Sequence, residues 1–143
     1  MASTALPPSM TPAVSAVYDG YPPAARAFLL AIRQLVFETA ANLPEVGALT
    51  ETLKWAEPAY LTQATRSGTT IRLAWSPKRP EFASIFVSCQ TSLIEDGRAR
   101  YSDDLTFIGN REIRLPLSQP LPATPVRHCI AMALTYHKRK SAP

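Results

Sequence analysis

From Ala24 onward the apolar residues Phe28, Leu29, Ile32, Leu35, Val36 and Leu43 recur at helical spacing, which predicts a long helix with one buried face. Pro22 and Pro23 suit its first turn, where no backbone donor is lost, and Pro44 stops it. Arg26, Arg33 and Glu38 fall off the apolar stripe. Residues 45–50 form a connector containing Gly47, with room for a short helical turn. The period then changes. Residues 53–61 read as a strand region broken near Pro58, which its fixed φ and missing N–H confine to a sheet edge, a bulge or a turn. Residues 62–68 read as a polar hairpin loop. Residues 69–76 alternate, with Ile71, Leu73 and Trp75 on one face and Arg72 on the other.

After a proline-marked turn, residues 82–89 alternate more strongly. Phe82, Ser84, Phe86 and Ser88 point one way, while Ala83, Ile85, Val87 and Cys89 point toward the core. Residues 90–101 return to helical spacing, with Thr91 or Ser92 as cap and Gly97 as a weak point. Residues 105–108 and 111–115 form a hairpin around Gly109-Asn110. Pro116, Pro120, Pro122 and Pro125 make an extended linker, and a closing helix starts at Pro125 with Thr124 as its cap. Its stripe is Val126, Ile130, Ala133 and Leu134. Residues 1–17 lack periodicity and are expected to be loose. The remaining residues, 18–140, make one α+β domain: an antiparallel sheet with the N- and C-terminal helices packed side by side on one face.

Composition narrows the class. Of the 143 residues, 46% are hydrophobic and 18% charged, the balance of a soluble globule. No stretch approaches the ~20 apolar residues of a membrane helix. The proline-rich start carries no basic residue before Arg26, unlike a targeting signal. The expected location is a bacterial cytoplasm, with no membrane partner. There Cys89 and Cys129, far apart in sequence, are expected to be unpaired buried thiols. A net charge of +4 is mild, and the basic run at 137–140 lacks an aromatic platform, so specific nucleic-acid binding is not expected.

The chemistry concentrates in residues 51–61. Lys54, Trp55, Glu57 and Tyr60 bring two charges and two amphipathic rings together beside Pro58. With Arg72, Trp75, Arg111 and Tyr136 they are candidates to line a pocket for a small anionic or aromatic molecule. Arginine grips carboxylate or phosphate in two places, and the rings offer stacking area. The plainer reading makes the rings core edges and the cations solvated. His128 and His137 fall on opposite sides of a helix and cannot share a metal. Glu45, Glu51 and Glu57 are the acids best placed for a weak, exposed metal site. No catalytic residue is assigned: Cys89 lies in a core-facing set, unlike a reactive thiolate, and no phosphate loop or nucleophile elbow is present.

The run Glu51, Leu53, Lys54, Trp55, Pro58 and Tyr60 also resembles the signature of the YdhG-like family, a bacterial domain of unknown function. Further agreement lies at Ile71-Arg72-Leu73, residues 86–91, Gly109-Asn110-Arg111 and residues 133–137, so the resemblance spans roughly residues 20–140. It implies a frataxin-like fold and, through one member of the family, a link to iron or iron–sulfur homeostasis; the expected role is a non-enzymatic binding or accessory protein with a small-molecule or protein partner. Iron is implied by the resemblance alone, and the residues themselves point to no cofactor. Frataxins carry an acidic ridge on the first helix, where this chain has only Glu38 among Arg26 and Arg33. The alternative is a small-ligand-binding domain, or a cryptic enzyme, using the rim from Lys54 to Tyr60. The oligomeric state is left open.

Overall fold

The computed structural model describes residues 7–141, with side chains to residue 138. Two helices open the chain where the pattern predicted one. The first, α1 (Pro12–Asp19), falls within the stretch expected to be loose. Thr11 caps it, its hydroxyl accepting from Val14 N at 3.4 Å, and Pro12 takes the first turn. Val14 and Tyr18, one helical turn apart, are both buried, and that shared face offsets the ordering entropy. Residues 1–6 of the expected loose segment lie outside the described residues. The second helix, α2 (Pro23–Ala41), buries Leu29, Ile32, Leu35 and Val36 as the spacing predicts. Burying each such side chain contributes roughly 1.5–3 kcal/mol. Arg26 reaches back to the end of α1 and donates to the carbonyls of Tyr18, Asp19 and Tyr21 at 3.1–3.2 Å. Arg33 departs from expectation: it is buried rather than solvated.

The region read as one interrupted strand is a hairpin. β1 (Thr50–Lys54) and β2 (Glu57–Leu61) pair antiparallel through the two-residue turn Trp55-Ala56. Trp55 has φ 56° and Ala56 φ 62°, the primed-turn geometry that matches strand twist. Pro58 therefore sits inside β2, a strand flanked on both sides, and not at an edge. It faces Leu53 across the hairpin, and the ladder from β2 to β3 (Ile71–Ala74) is registered only from Ala59↔Arg72 to Tyr60↔Ile71. The missing N–H falls where no ladder partner waits.

Next come β4 (Phe82–Phe86), α3 (Leu93–Tyr101), β5 (Thr106–Ile108) and β6 (Glu112–Pro116). The six strands are ordered β1-β2-β3-β4-β6-β5, antiparallel throughout. α3 carries the chain to the far edge, and the β5–β6 hairpin returns β6 to pair with β4. Alternation holds across the sheet: Ile71, Leu73, Ala83, Ile85, Ile113 and Leu115 are buried against the helices. Gly97 belongs to this interior, since a Cβ there would meet the Phe107 ring at 2.7 Å. Cys89 does not belong to it. β4 ends at Phe86, a turn closed by Thr91 N to Ser88 O at 3.2 Å follows, and the Cys89 thiol is exposed.

The closing helix is two. α4 (Ala123–Leu134) begins before Pro125, with Pro122 at the cap position and no side-chain cap. α5 (Tyr136–Ser141) follows a break at Thr135. The break has an external cause. The loop after β2 inserts its own donors: Ser67 Oγ donates to Leu134 O at 2.7 Å and Thr69 N to Ala133 O at 2.9 Å, while His137 N donates to Ser67 O at 2.9 Å. α2 and α4 pack side by side, α1 lies on β1 and β2, and α3 rests on α4 and β5. All four cover the same face of the sheet. No described helix is long and apolar enough to cross a membrane.

The loop-to-helix junction tolerates no side chain at Gly68, where a Cβ would lie 2.3 Å from the Ala133 and Leu134 carbonyl oxygens. Gly68→Ala should lower stability by ~1–3 kcal/mol, as overpacking does, seen as a lower urea midpoint. An unchanged midpoint would mean that the junction is loose in solution.

Candidate functional site

The face of the sheet without helices is built by the polar half of the alternation. Arg72 lies directly opposite Phe86 in the β3–β4 register, and its guanidinium carbon sits 5.0 Å from that ring's centre. Arg114 covers Phe82 in the same way at 5.9 Å. Each cation also has an acid partner. Arg72 Nη1 donates to Glu57 Oε1, and Arg114 Nε donates to Glu112 Oε2 at 2.9 Å. Glu112 also accepts from Ser84 Oγ at 2.8 Å. Burial alone would raise its carboxyl, but these hydrogen bonds outweigh that, and it titrates below the usual range. Glu57 is the reverse case. Burial raises its carboxyl, and Arg72 and Arg111 only partly offset the rise.

Two adjoining clefts on this face flank the Arg72–Glu57 pair. The first, about 280 Å³, is lined by Lys54 and Trp55 from the hairpin tip, by Thr69, Thr70 and Arg72, and by Val87 and Ser88. Trp55 is 86% exposed. The second, about 230 Å³, is lined by Glu57, Ala74, Trp75, Ser76, Arg79, Phe82, Ser84 and Phe86. The Arg72–Glu57 pair contributes one residue to each and lies between them.

Of the residues singled out in the sequence, Lys54, Trp55 and Arg72 thus share one cleft, and Glu57 and Trp75 share the next. Trp75 also donates Nε1–H to Pro80 O at 3.0 Å and meets Tyr21 edge-on. Arg111 is exposed on the β5–β6 turn, close enough for its charge to act on Glu57. Tyr60 and Tyr136 belong elsewhere. Tyr60 points into the core, and the Tyr136 hydroxyl accepts from Ser92 N at 3.2 Å beside α3. The hydroxyls of Thr69, Thr70 and Ser88 were missed, since nothing in the sequence places a loop end against a hairpin tip. Phe82 and Phe86 had a signal: the alternation puts both on the face of Ser84.

The proposed carboxylate cluster does not form. Glu51 faces the core and Glu57 the open face, while Glu45 is exposed in the connector. Glu51 is engaged by Arg33, whose Nε and Nη2 donate to its two oxygens at 2.5 and 3.0 Å, and by the Tyr60 hydroxyl at 2.8 Å. Among the described residues no group of three or more His, Cys, Asp and Glu side chains is placed to hold a metal ion. His128 Nδ1 pairs with the Tyr101 hydroxyl at 2.5 Å. Cys129 is buried, which pushes its thiol up to about 11. It is an inert core group at neutral pH.

Tyr18 and Tyr60 share a hydrogen bond of 2.6 Å beside Glu51. Burial raises both phenols well above their usual range, and burial takes Tyr21 up to about 12. In the unfolded chain all three ionise near 10. Below that pH their contribution is complete. Above it the unfolded state loses protons first, so stability should fall by up to about 1.4 kcal/mol per pH unit for each tyrosine. Absorbance at 295 nm should show Tyr18 and Tyr60 ionising only as the fold opens. Ordinary titration of all five tyrosines in folded protein would contradict the buried network. Comparison of the chain with protein-family models, curated proteins and solved structures returns no match.

Proposed function

We propose that this chain is a non-enzymatic binding protein for a small aromatic acid, taken up at the hairpin-tip cleft by Lys54, Trp55 and Arg72. The observation that carries this reading is Trp55. Its φ of 56° lies in the left-handed region, which costs a non-glycine residue roughly 1–2 kcal/mol. Its ring, 86% exposed, gains almost no burial in return. A strained backbone holding a bare indole beside two cations is the arrangement of a ligand clamp. Arg72 lies over Phe86, 5.0 Å from the ring's centre, and offers N–H donors that can grip a carboxylate. Thr69, Thr70 and Ser88 add hydroxyls to the wall.

This reading displaces the iron-linked one, which needs clustered carboxylates that the described residues do not bring together. The proposal keeps membership of the YdhG-like family and a bacterial cytoplasmic location, where exposed Cys89 and buried Cys129 remain thiols. Its ligand is a small molecule, not a nucleic acid.

Calorimetric titration with 2-naphthoate, and separately with inorganic phosphate, tests the site. Naphthoate should bind and phosphate bind more weakly, because only the first can stack. Trp55→Gly should abolish stacking yet cost no stability, since glycine adopts φ near 56° freely. Arg72→Gln should weaken naphthoate by about tenfold or more, the weight of a charged hydrogen bond. Unaltered affinity in both variants, or no heat from either probe at millimolar concentration, rules the site out.

A further inference from the structure

Arg72 lines the first cleft and Glu57 the second, and the two side chains meet between them. The pair runs diagonally across the β2–β3 ladder, since Arg72 is registered with Ala59. The guanidinium carbon lies 5.0 Å from the centre of the Phe86 ring, and Nη1 is the donor that meets the carboxylate and can exchange partners. That donor is already occupied by the protein's own carboxylate. On the ligand reading above, we infer that Glu57 is an internal stand-in for the ligand's acid group. An arriving carboxylate takes its place on Arg72, and Glu57 turns into the second cleft.

The three carboxylates of the hairpin and sheet differ in what they would lose. Glu51 accepts from Arg33 twice and from Tyr60, and Glu112 accepts from Arg114 twice and from Ser84. Among the described side chains Glu57 accepts from Arg72 alone. Release therefore costs Glu57 one partner, and the second cleft supplies another cation, Arg79, on its wall. Lys54 is the register partner of Glu57 across the hairpin and lines the ligand's cleft, so it stays with the incoming acid. The exchange leaves no buried charge unpaired. Arg72 changes one carboxylate for another, which avoids the penalty of stripping a cation bare. The device selects for ligands with an acid group: a neutral aromatic molecule cannot displace Glu57.

Calorimetry with 2-naphthoate on full-length wild type, Glu57→Gln, Glu81→Gln and Arg72→Gln tests this. Glutamine keeps the size of Glu57 and removes the competing charge. Glu57→Gln should bind about fivefold more tightly, the equivalent of a part-exposed ion pair. Glu81→Gln removes the same charge from the neighbouring exposed turn and should bind as wild type. In wild-type protein labelled with carbon-13 at glutamate carboxyls, the Glu57 resonance should move as naphthoate is added. Glu57→Gln binding no tighter than wild type, equal tightening in Glu81→Gln, or a stationary Glu57 resonance at saturation overturns the inference. The cleft itself would still stand if Arg72→Gln alone lost binding. No heat from any of the four proteins overturns both.

Discussion

The buried ion pair of Arg33 and Glu51 is the interaction on which the rest of this fold turns. It joins the long second helix to the edge strand of the sheet. Two charges this deep are costly to desolvate, and their attraction offsets that cost only if every remaining donor and acceptor is satisfied. Here they are. Arg33 also donates to Pro8 O at 2.6 Å and lies 4.9 Å over the Phe37 ring, and Glu51 accepts from Tyr60, itself bonded to Tyr18. The segment at Pro8, α1, α2, β1 and β2 are joined in this one network. Burial alone would make Arg33 easier to deprotonate, but the hydrogen bond and charge of Glu51 outweigh it, so the arginine stays charged. The larger consequence is register. In a hairpin, slipping by one residue turns every side chain to the other face. Fixing Glu51 inward fixes Glu57 outward and sets Lys54 and Trp55 at the tip.

That coupling explains which parts of the structure were legible in the sequence. The stripe from Leu29 to Val36 and the alternation from Ile71 to Leu73 and from Ala83 to Val87 were readable because each is set by its own period. Arg33 was misread because its partner is 18 residues away, and nothing local distinguishes a buried arginine from a solvated one. The hairpin was hidden for a related reason. Its turn is Trp55-Ala56, without the glycine or asparagine that normally announces positive φ, so Pro58 seemed the only interruption. The break at Thr135 is imposed by a loop some seventy residues earlier (about 67–69), and no local propensity encodes it. For the site, composition found the cations and rings that gather at Lys54, Trp55 and Arg72. It also swept in Tyr60 and Tyr136, because an amphipathic ring looks the same in sequence whether its hydroxyl faces a ligand or a core carboxylate.

The loop that breaks the last helix also forms one wall of the cleft. Thr69 lines the cleft and holds Ala133 through its backbone N–H. Gly68 lies flush against the same helix end, and Thr62 Oγ1 bonds both the N–H and the carbonyl of Gly68 at 3.1 and 3.2 Å. One side of the cleft is therefore anchored to the hydrophobic core through α4. The opposite side is the hairpin tip, anchored through Glu51. Ligand-facing groups held by separate attachments to one core keep their spacing without help from the ligand, which is what makes a binding geometry preorganised.

Arg33–Glu51 and Arg72–Glu57 are the same chemical pair put to different ends. The first has side chains 6% and 10% exposed, the second 20% and 26%. Exposure alone is a weak distinction, because both are shielded relative to a surface ion pair. Saturation of the acid is the stronger one. Glu51 has three hydrogen bonds from two residues inside the core, and any group displacing it would have to replace all of them. Glu57 has one donor side chain among those described, and open volume on either side. A carboxylate held by a single donor between two open volumes is exchangeable. The sheet thus carries its fixed pair on the covered face and its replaceable pair on the bare one, and the alternation of a single hairpin decides which is which.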